Sequence, residues 1–404
     1  MATQVRIAVL SDLHFASDED GSSDTHVILS RQSIPKQDPY GDVLDLIARE
    51  NLSADIVLCP GDITYQADQS ALRSAWAALN EVTAKLGASH LIAATGNHDI
   101  SSRDSTSSPE IWEYLKQLSP TYPFPGATTE QRLHYWSEHF MIVELDGLRL
   151  VVLNSCNCHA RGVSEWANGR VTDHTIAEIE KRLNDTLPGL INVLLCHHHP
   201  SKHPDMNQFF PDYSEMKQGL KLLSMLGERD EPWVVVHGHK HSPRLSNAEG
   251  SSSDEVTIFS AGSFSAVLAP QYFPGASNQF YIIELDLDYV SANGAAGVVY
   301  AWDWREGQGW MPASPESRFG SRIVNGTGFG HKCNVNRDAS DIASTFSGRA
   351  NIKWREVVDM HPWVTYLSPR DLGRILARLK SYHYLDGVKD GAALFPHELL
   401  RSQP

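Results

Sequence analysis

Short apolar runs that stop at polar residues recur through the first 285 residues of the chain. They are four to six residues long, are rich in Val, Ile and Leu, and cover 5–10, 56–59, 91–94, 148–153, 191–196 and 233–236. Runs of this length and composition are typical of strands that are buried on both faces. Each run ends at hydroxyl, carboxylate, amide or imidazole side chains. The pattern therefore predicts buried strands with reactive side chains at their carboxyl ends.

Helical periodicity lies between several of these runs. The segment 71–86 places apolar residues at a spacing of about 3.6, which is typical of a helix with one buried face. The segment 172–187 shows the same spacing and begins at Thr172, a suitable N-cap. Similar patterns cover 42–50, 216–226 and 368–382. Strands that alternate with helices predict a layered α/β fold, in which sites lie at the carboxyl ends of the strands.

Three stretches differ from this pattern. The segment 17–38 is polar with few apolar residues, and we expect a loop there. The segment 101–134 is rich in Ser, Thr and Pro, and we expect an insertion that shapes access to a neighbouring site. After about residue 300, three tryptophans and several glycines indicate a β-rich region. We therefore predict a main domain over 1–300 and a small α+β extension of unknown role over 301–404.

Composition and charge indicate which partners and which cellular compartment to expect. The chain has 404 residues, of which 34 are basic and 49 acidic, for a net charge of −15. An acidic chain repels nucleic-acid phosphates, which disfavours long nucleic acids without excluding them. No run approaches 18 consecutive apolar residues, so we expect no membrane span. Because the segment 1–10 lacks the pattern of a secretion signal, we expect a cytoplasmic protein. Nothing in the sequence indicates the oligomeric state.

The chain has five cysteines, too few for a disulfide framework at this length. Cys156-Asn157-Cys158 has the composition of a metal-binding pair, or of two small residues at a strand end. No second pair lies at the spacing of a zinc site, which favours the strand end.

Five short polar motifs follow the predicted strands. They are Asp12-Leu13-His14, Gly61-Asp62, Gly96-Asn97-His98-Asp99, His197-His198-His199 and Gly238-His239-Lys240-His241. Taken singly, most of them are ordinary turn sequences. Taken together, they bring carboxylates, an amide and imidazoles to one edge of a layered fold. Mixed oxygen and imidazole ligands suit Mn, Fe or Zn. Two such ions stabilise the attacking and leaving oxygens of a displacement at phosphorus.

The order of these five motifs resembles the calcineurin-like metallophosphoesterase family over about residues 5–285. The resemblance implies a four-layer α/β/β/α sandwich of two mixed sheets. The pattern looks most similar to the branch that includes cyclic-nucleotide phosphodiesterases and glycerophosphodiesterases. Members that act on phosphoproteins usually carry additional arginines that hold a phosphomonoester. Candidates for such arginines in this sequence are Arg103, Arg161, Arg170 and Arg244, although a surface position is the simpler reading of each.

The resemblance also implies a role for each motif residue. The first metal ion would be held by Asp12, His14 and His241. The second would be held by Asn97, His197 and His239, and Asp62 would bridge the two. His98 would contact the phosphate and protonate the leaving oxygen, and Asp99 would orient His98. The family motif reads His-His-Pro-Pro, whereas this chain has three consecutive histidines. Alignment without a gap makes His197 the ligand, and a shift of one residue makes it His198.

These expectations lead to three hypotheses. The first is hydrolysis of a small phosphodiester or phosphomonoester, including a nucleotide, by in-line attack of a metal-bridging hydroxide. The phosphodiester is favoured over the phosphomonoester. The second is a nuclease, for which the tryptophans between 302 and 310 would supply stacking surfaces. The third is a scaffold that keeps the fold without catalysis, which we disfavour because the set of seven ligands and His98 is complete.

Overall fold

Two mixed β-sheets form the centre of the molecule. A computed structural model describes residues 4–18, 24–102, 111–159, 165, 168–202, 214–248, 256–270, 273, 276–289, 294–315, 323–346, 348–391 and 393–402. Across these ranges, no helix is both long enough and apolar enough to cross a bilayer.

The first sheet joins the start of the chain to its last third. Its strands are β1 (Gln4–Val9), β2 (Ile56–Cys59), β3 (His90–Ala93), β10 (Asn278–Asp286), β11 (Gly297–Arg305), β12 (Gly309–Pro312) and β13 (Thr327–Phe329). They lie in the order β12-β11-β10-β1-β2-β3, and β13 pairs with β11. Strands β1, β2 and β3 are parallel, so the loops that follow them emerge at the same edge.

The second sheet is built from the middle of the chain. Its strands are β4 (Phe140–Leu145), β5 (Leu148–Leu153), β6 (Ile191–Leu195), β7 (Trp233–His237), β8 (Arg244–Asn247) and β9 (Val256–Ser260). They lie in the order β4-β5-β6-β7-β9-β8. Strands β5, β6, β7 and β9 are parallel, whereas the outer strands β4 and β8 are antiparallel to their neighbours.

Helices cover the outer faces of both sheets. The helices of this region are α1 (Pro39–Glu50), α2 (Gln69–Lys85), α3 (Glu113–Lys116), α4 (Thr129–Ser137), α5 (Asp173–Asp185) and α6 (Gly219–Gly227). Apolar residues of α1 and α2 share one core with the first sheet, and this core continues between the sheets. Residues of α5 and α6 share a second core with the outer face of the second sheet. This arrangement confirms the predicted α/β/β/α sandwich.

The predicted elements are present with small changes of boundary. The segment 71–86 becomes α2, and the segment 172–187 becomes α5, whose N-cap is Thr172 as expected. The Thr172 side chain accepts a hydrogen bond from the Thr175 amide, which satisfies one of the free amides at a helix start. All six apolar runs lie on strands, because their apolar side chains are buried against helices or the facing sheet.

The tryptophan-rich region belongs to the first sheet. The predicted boundary at residue 300 falls within β11, which pairs with β10 from Gly297 to Trp304. The indole nitrogens of Trp302, Trp304 and Trp310 bond to residues of α1 and so fasten that helix to the sheet.

A smaller unit with its own core follows. It contains α7 (Val335–Ser344), β14 (Asn351–Lys353), α8 (Trp354–Met360), a 3₁₀ helix (Pro362–Tyr366), α9 (Pro369–His383), β15 (Leu385–Val388) and β16 (Glu398–Arg401). Its three strands form a separate antiparallel sheet. The segment 368–382, predicted to be helical, corresponds to α9. The small α+β extension is therefore present.

Candidate metal centre

The five motifs lie together because the loops that carry them meet between the two sheets. The loop after β1 is bonded to the loop after β2, since the amide of Asp12 donates to Gly61 O at 3.0 Å. In the second sheet, the amide of Gly238 donates to His197 O at 3.1 Å. The amide of His239 donates to Asp12 Oδ1 at 3.1 Å, which joins the two pairs of loops.

Several motif residues have an unusual backbone conformation. Positive φ angles between 48° and 72° occur at Asp12, His14, Asp62, His239 and His241. A residue with a side chain in this region is destabilised by roughly 1–3 kcal/mol, and such residues concentrate at functional sites. Sequence patterns did not reveal this strain, because none of these positions is a glycine.

Two motif glycines allow the carboxylates to approach. A Cβ atom at Gly96 would lie 2.1 Å from the Asp62 amide nitrogen. A Cβ atom at Gly238 would lie 2.1 Å from Ser11 Oγ and 2.4 Å from Asp12 Oδ2. Both distances are far below van der Waals contact. Glycine is therefore needed at each position for the loops to pack with the carboxylates in place.

The first group of side chains contains Asp12, His14 and His241. His241 Nε2 lies 3.3 Å from Asp12 Oδ1 and 3.3 Å from His14 Nε2. His14 Nε2 lies 4.0 Å from Asp12 Oδ1. The two remaining ring nitrogens, Nδ1 of His14 and Nδ1 of His241, are buried and have no hydrogen-bond partner among the described residues.

The second group contains Asn97, His197 and His239. Asn97 Oδ1 lies 3.1 Å from His197 Nε2 and 3.0 Å from His239 Nδ1, and the two ring nitrogens are 3.2 Å apart. His197 Nδ1 lies 3.0 Å from Pro60 O, which can only accept a hydrogen bond. The proton of a neutral His197 ring is therefore on Nδ1, and the lone pair on Nε2 points into the group.

Asp62 lies between the two groups. Its Oδ2 atom is 3.7 Å from His14 Nε2 on one side and 3.3 Å from His197 Nε2 on the other. Its Oδ1 atom accepts a hydrogen bond of 2.7 Å from the amide of His98. One oxygen is thus held by the protein, and the other faces both groups, as a shared ligand requires.

The electrostatics of the site favour a bound cation. Burial alone would raise the pKa of Asp62, but His197 and His98 hold it well below the usual range. Burial alone would lower the pKa of His197, but Asp62 and then Asp12 raise it to about 9. Burial and repulsion from His98 lower the pKa of His14 to about 3. The carboxylates therefore stay charged and draw positive charge into a buried space.

The donor set and its spacing fit two transition-metal ions. Atoms bound at ~2.1 Å to one ion lie about 3.0–3.4 Å apart, and most of the distances within each group fall in this range. Without a cation, the lone pairs of neighbouring ring nitrogens and carboxylate oxygens repel one another wherever no proton lies between the two atoms. The mixed oxygen and imidazole donors are those that Mn, Fe and Zn accept.

His98 lies at the edge of this centre and beside a cleft. Its Nδ1 accepts a hydrogen bond of 3.2 Å from the Gln66 amide, so the proton of the neutral ring is on Nε2. Its ring stacks on Tyr65 with the centroids 5.6 Å apart. The cleft has a volume of about 260 Å³ and is lined by Gln66, Ala67, Asn97, His98, Ile100, Ser101 and Ser102. Sequence patterns did not identify Gln66, because its contact with His98 is made by the backbone amide.

Asp99 has a different set of contacts from the one that the resemblance implies. Its carboxylate accepts hydrogen bonds of 2.6–3.1 Å from the amides of Asp62, Ile63, Thr64 and Gly96. Burial and the nearby Asp62 charge raise its pKa to about 7, although the Gly96 and Thr64 amides oppose the shift. The ring of His98 is instead held by the Gln66 amide. Asp99 therefore shapes the loop that carries Asp62.

The three consecutive histidines point in different directions. His197 lies beside Asn97 and Asp62. His198 Nδ1 lies 2.8 Å from Ser155 Oγ, and the ring of His198 lies 4.5 Å from that of His239 between centroids. His199 stacks on His239 with the centroids 5.8 Å apart.

Two of the four candidate arginines lie in the described part of the chain. Arg103 and Arg161 lie outside the described residues. Arg170 forms hydrogen bonds of 2.8 and 2.9 Å with Glu165, which is also 2.8 Å from Lys217 Nζ. Arg244 begins β8 and is partly buried.

Known proteins resemble this chain in their sequence profile and, at low identity, in structure. The profile of the calcineurin-like phosphoesterase family matches residues 5–253, and no curated protein shows a significant match. Among solved structures, a purple acid phosphatase from yellow lupin (Lupinus luteus) seeds is similar at 15% identity and a TM-score of 0.46, covering 76% of this chain and 53% of that one. PhoD is similar at 11% identity and a TM-score of 0.44, covering 77% and 71%. A putative 5'-nucleotidase from Staphylococcus aureus is similar at 11% identity and a TM-score of 0.36, covering 70% and 51%.

The alignment spans about half the length of the lupin and staphylococcal chains. The family profile, in contrast, matches more than half of this chain and covers all five motifs. The chain therefore belongs to the calcineurin-like phosphoesterase family.

Proposed function

We propose that this chain hydrolyses a small phosphate ester with two transition-metal ions, and that a phosphodiester is preferred to a phosphomonoester. The observation that carries the proposal is the convergence of two ligand groups on a shared Asp62, beside a cleft that contains His98. One ion would be held by Asp12, His14 and His241. The other would be held by Asn97, His197 and His239. Asp62 would bind both ions.

When bound, such ions act as Lewis acids that activate water and neutralise charge on phosphoryl oxygens. The protein holds the ligand side chains in position. Pro60 O fixes the orientation of the His197 ring, and the His98 amide fixes one oxygen of Asp62. These contacts hold ligand atoms in place before the substrate arrives, so little reorganisation is needed during the reaction.

His98 is the proposed proton donor to the leaving oxygen. The Gln66 amide bonds to Nδ1, so a neutral His98 carries its proton on Nε2. That tautomer can donate without first taking a proton from solvent. The stacked Tyr65 ring restricts the rotation of His98. A positioned general acid of this kind contributes typically ~10²–10⁴-fold to the rate.

The cleft and the arginines support a small diester. A cleft of about 260 Å³ is small for a ligand site and suits a compact ester. A phosphomonoester carries an additional charge and is usually held by further cationic donors. Arg170, one candidate for such a donor, is already bonded to Glu165.

The nuclease hypothesis loses its main structural support. Trp302, Trp304 and Trp310 are at most 5% exposed, so they offer no stacking surface for bases. The net charge of −15 also opposes a long polyanion.

A substrate panel tests the proposal. The full chain would be stripped of metal, reconstituted with Mn, Fe or Zn, and assayed on aryl mono- and diesters, cyclic nucleotides, DNA and RNA. We expect metal-dependent turnover that is highest on a small diester. Degradation of nucleic acid alone would favour the nuclease. No turnover with any metal, in protein shown to hold two equivalents, would favour the scaffold.

A further inference from the structure

A second set of side chains of the types that bind metal ions lies next to His197. A turn follows β5, in which the amide of His159 donates to Cys156 O at 3.1 Å. The turn places Cys156 and His159 beside His198, which follows β6. Cys156 Sγ and one ring nitrogen from each histidine lie within 4.8 Å of one another, and all three residues are buried. The spacing Cys-x-x-His on one turn, completed by a distant histidine, is typical of zinc ligands.

The histidines of this set have ring nitrogens without hydrogen-bond partners. Neither ring nitrogen of His159, which is 3% exposed, forms a well-aligned hydrogen bond among the described residues, although a contact with the Asn168 backbone acts to raise its pKa. Nε2 of His198, which is fully buried, also lacks a partner there. A buried polar atom without a partner destabilises a fold by roughly 1–3 kcal/mol. Core packing alone does not account for such atoms beside a cysteine. A bound ion would take one ring nitrogen from each histidine.

His198 is already oriented for such a role. Ser155 Oγ lies 2.8 Å from its Nδ1, which leaves Nε2 for another partner. A Cβ atom at Gly169 would lie 2.4 Å from Cγ of the His198 ring, so this glycine makes room for the ring. A hydrogen bond on one nitrogen that fixes the other for a metal is the usual arrangement around ligating histidines.

We propose that Cys156, His159 and His198 bind one additional soft or borderline metal ion, such as Zn²⁺, next to the two ions of the main centre, since His198 also lies close to His197 and His239. The sulfur ligand distinguishes this site from the main centre, whose donors are oxygen and imidazole nitrogen. A thiolate favours zinc over harder ions such as Mn²⁺ or Mg²⁺.

The site must change slightly to bind the ion. Cys156 Sγ donates to Thr95 O at 3.3 Å, so binding exchanges this contact for a metal bond and releases one proton to solvent. Burial and the charges of Asp62 and Asp99 hold the pKa of this thiol well above its usual range. The same negative charges attract a cation. Tetrahedral coordination also needs the ligand atoms to close to about 3.3–3.7 Å from one another.

Cobalt substitution tests the proposal independently of activity. Apoprotein of the full chain would be titrated with Co²⁺, with bound metal counted by elemental analysis and sulfur ligation read from the thiolate-to-cobalt charge-transfer band. We expect three equivalents and a sulfur band in the wild type. Cys156→Ser and His159→Gln should each bind two equivalents, and Cys156→Ser should lose the band.

Cys333→Ser is the matched control, because Cys333 lies in the C-terminal unit, and it should keep three equivalents and the band. Two equivalents and no sulfur band in the wild type would overturn the proposal, as would a band that survives in Cys156→Ser. If Cys156→Ser fails to fold, zinc X-ray absorption of the wild type decides, since a lack of sulfur neighbours contradicts the site.

Discussion

The main centre and the C-terminal unit each contain a cluster of histidine and aspartate, and the hydrogen bonding of the two clusters differs. In the C-terminal unit, His331 Nε2 lies 3.0 Å from Asp338 Oδ2, and His331 Nδ1 lies 3.0 Å from Tyr289 Oη. In the main centre, Nε2 of His14 faces Nε2 of His241 at 3.3 Å, and neither Nδ1 has a partner among the described residues. Both ring nitrogens of His331 are thus satisfied, whereas Nδ1 of His14 and Nδ1 of His241 are not.

The backbone shows the same contrast. Positive φ angles occur at Asp12, His14 and His241, but not at His331 or Asp338. A cluster whose hydrogen bonds are complete and whose backbone is relaxed stabilises a fold. A cluster with close, unsatisfied donors on a strained backbone needs an additional group to offset its cost. The contrast therefore distinguishes a structural polar cluster from a ligand-binding one in the same chain.

Asp62→Asn should produce the largest effect. The substitution removes the charge that both ligand groups share while it preserves the size of the side chain. We expect loss of at least one metal equivalent and a fall in turnover of more than ~10³-fold, since Lewis-acid stabilisation is worth several kcal/mol. Elemental analysis and steady-state kinetics would measure both. Full metal content together with full turnover would contradict the assignment of Asp62.

His98→Ala should separate chemistry from metal binding. The ring is not in either proposed ligand group, so we expect both ions of the main centre to remain. Turnover should fall by ~10²–10⁴-fold if His98 protonates the leaving oxygen. A substrate with a highly acidic leaving group is the internal control, because it needs less protonation and should lose much less. An equal loss on both substrates would argue against a general acid.

Gly238→Ala should weaken the metal centre without replacing a ligand residue. The added Cβ would lie 2.4 Å from Asp12 Oδ2, so the carboxylate must move. We expect metal affinity to fall by ~10–100-fold, as for other changes that misplace a ligand. Gly373→Ala in α9 is the matched control, since nothing lies within 4 Å of its added Cβ. Competition with a metal-sensitive chelating dye would measure both variants.

The sequence alone predicted the sheets and helices of the sandwich well, because burial on both faces leaves a clear apolar run. It also predicted that the five motifs lie together, since residues at the ends of parallel strands meet at one edge. Asp99 shows where such reasoning stops. Its four amide donors lie on its own turn and about 36 residues away, and no local pattern records a contact between two loops.

The cluster around His331 also escaped prediction, for a related reason. Tyr289 is 42 residues from His331 in sequence, and neither residue lies in a recognisable motif. The helix over 368–382 was predicted because its periodicity is local. The boundary at residue 300 was placed where composition changes, whereas the first sheet continues through β13 because its pairing is non-local.

Asp338→Asn should produce the smallest effect on activity. Asp338 accepts hydrogen bonds from His331, from the Asn334 amide and from Arg337, so we expect the free energy of unfolding to fall by about 1–3 kcal/mol. Metal content and turnover should stay at wild-type values. Chemical denaturation, run beside elemental analysis, would measure the difference, and loss of metal in this variant would break the contrast between the two clusters.

The pH dependence sharpens this last comparison. Burial alone would raise the pKa of Asp338, but bonds from His331, Asn334 and Arg337 lower it. When folding lowers the pKa of a carboxyl group, the group stabilises the folded state at any pH above its pKa in the unfolded chain. This stabilisation is lost as the pH falls to the pKa of the group in the folded state. The stability difference between wild type and Asp338→Asn should therefore be full near neutral pH and shrink in acid, below the ordinary range of an aspartate. A difference that stays constant into strong acid would show that the carboxylate charge contributes nothing to this cluster.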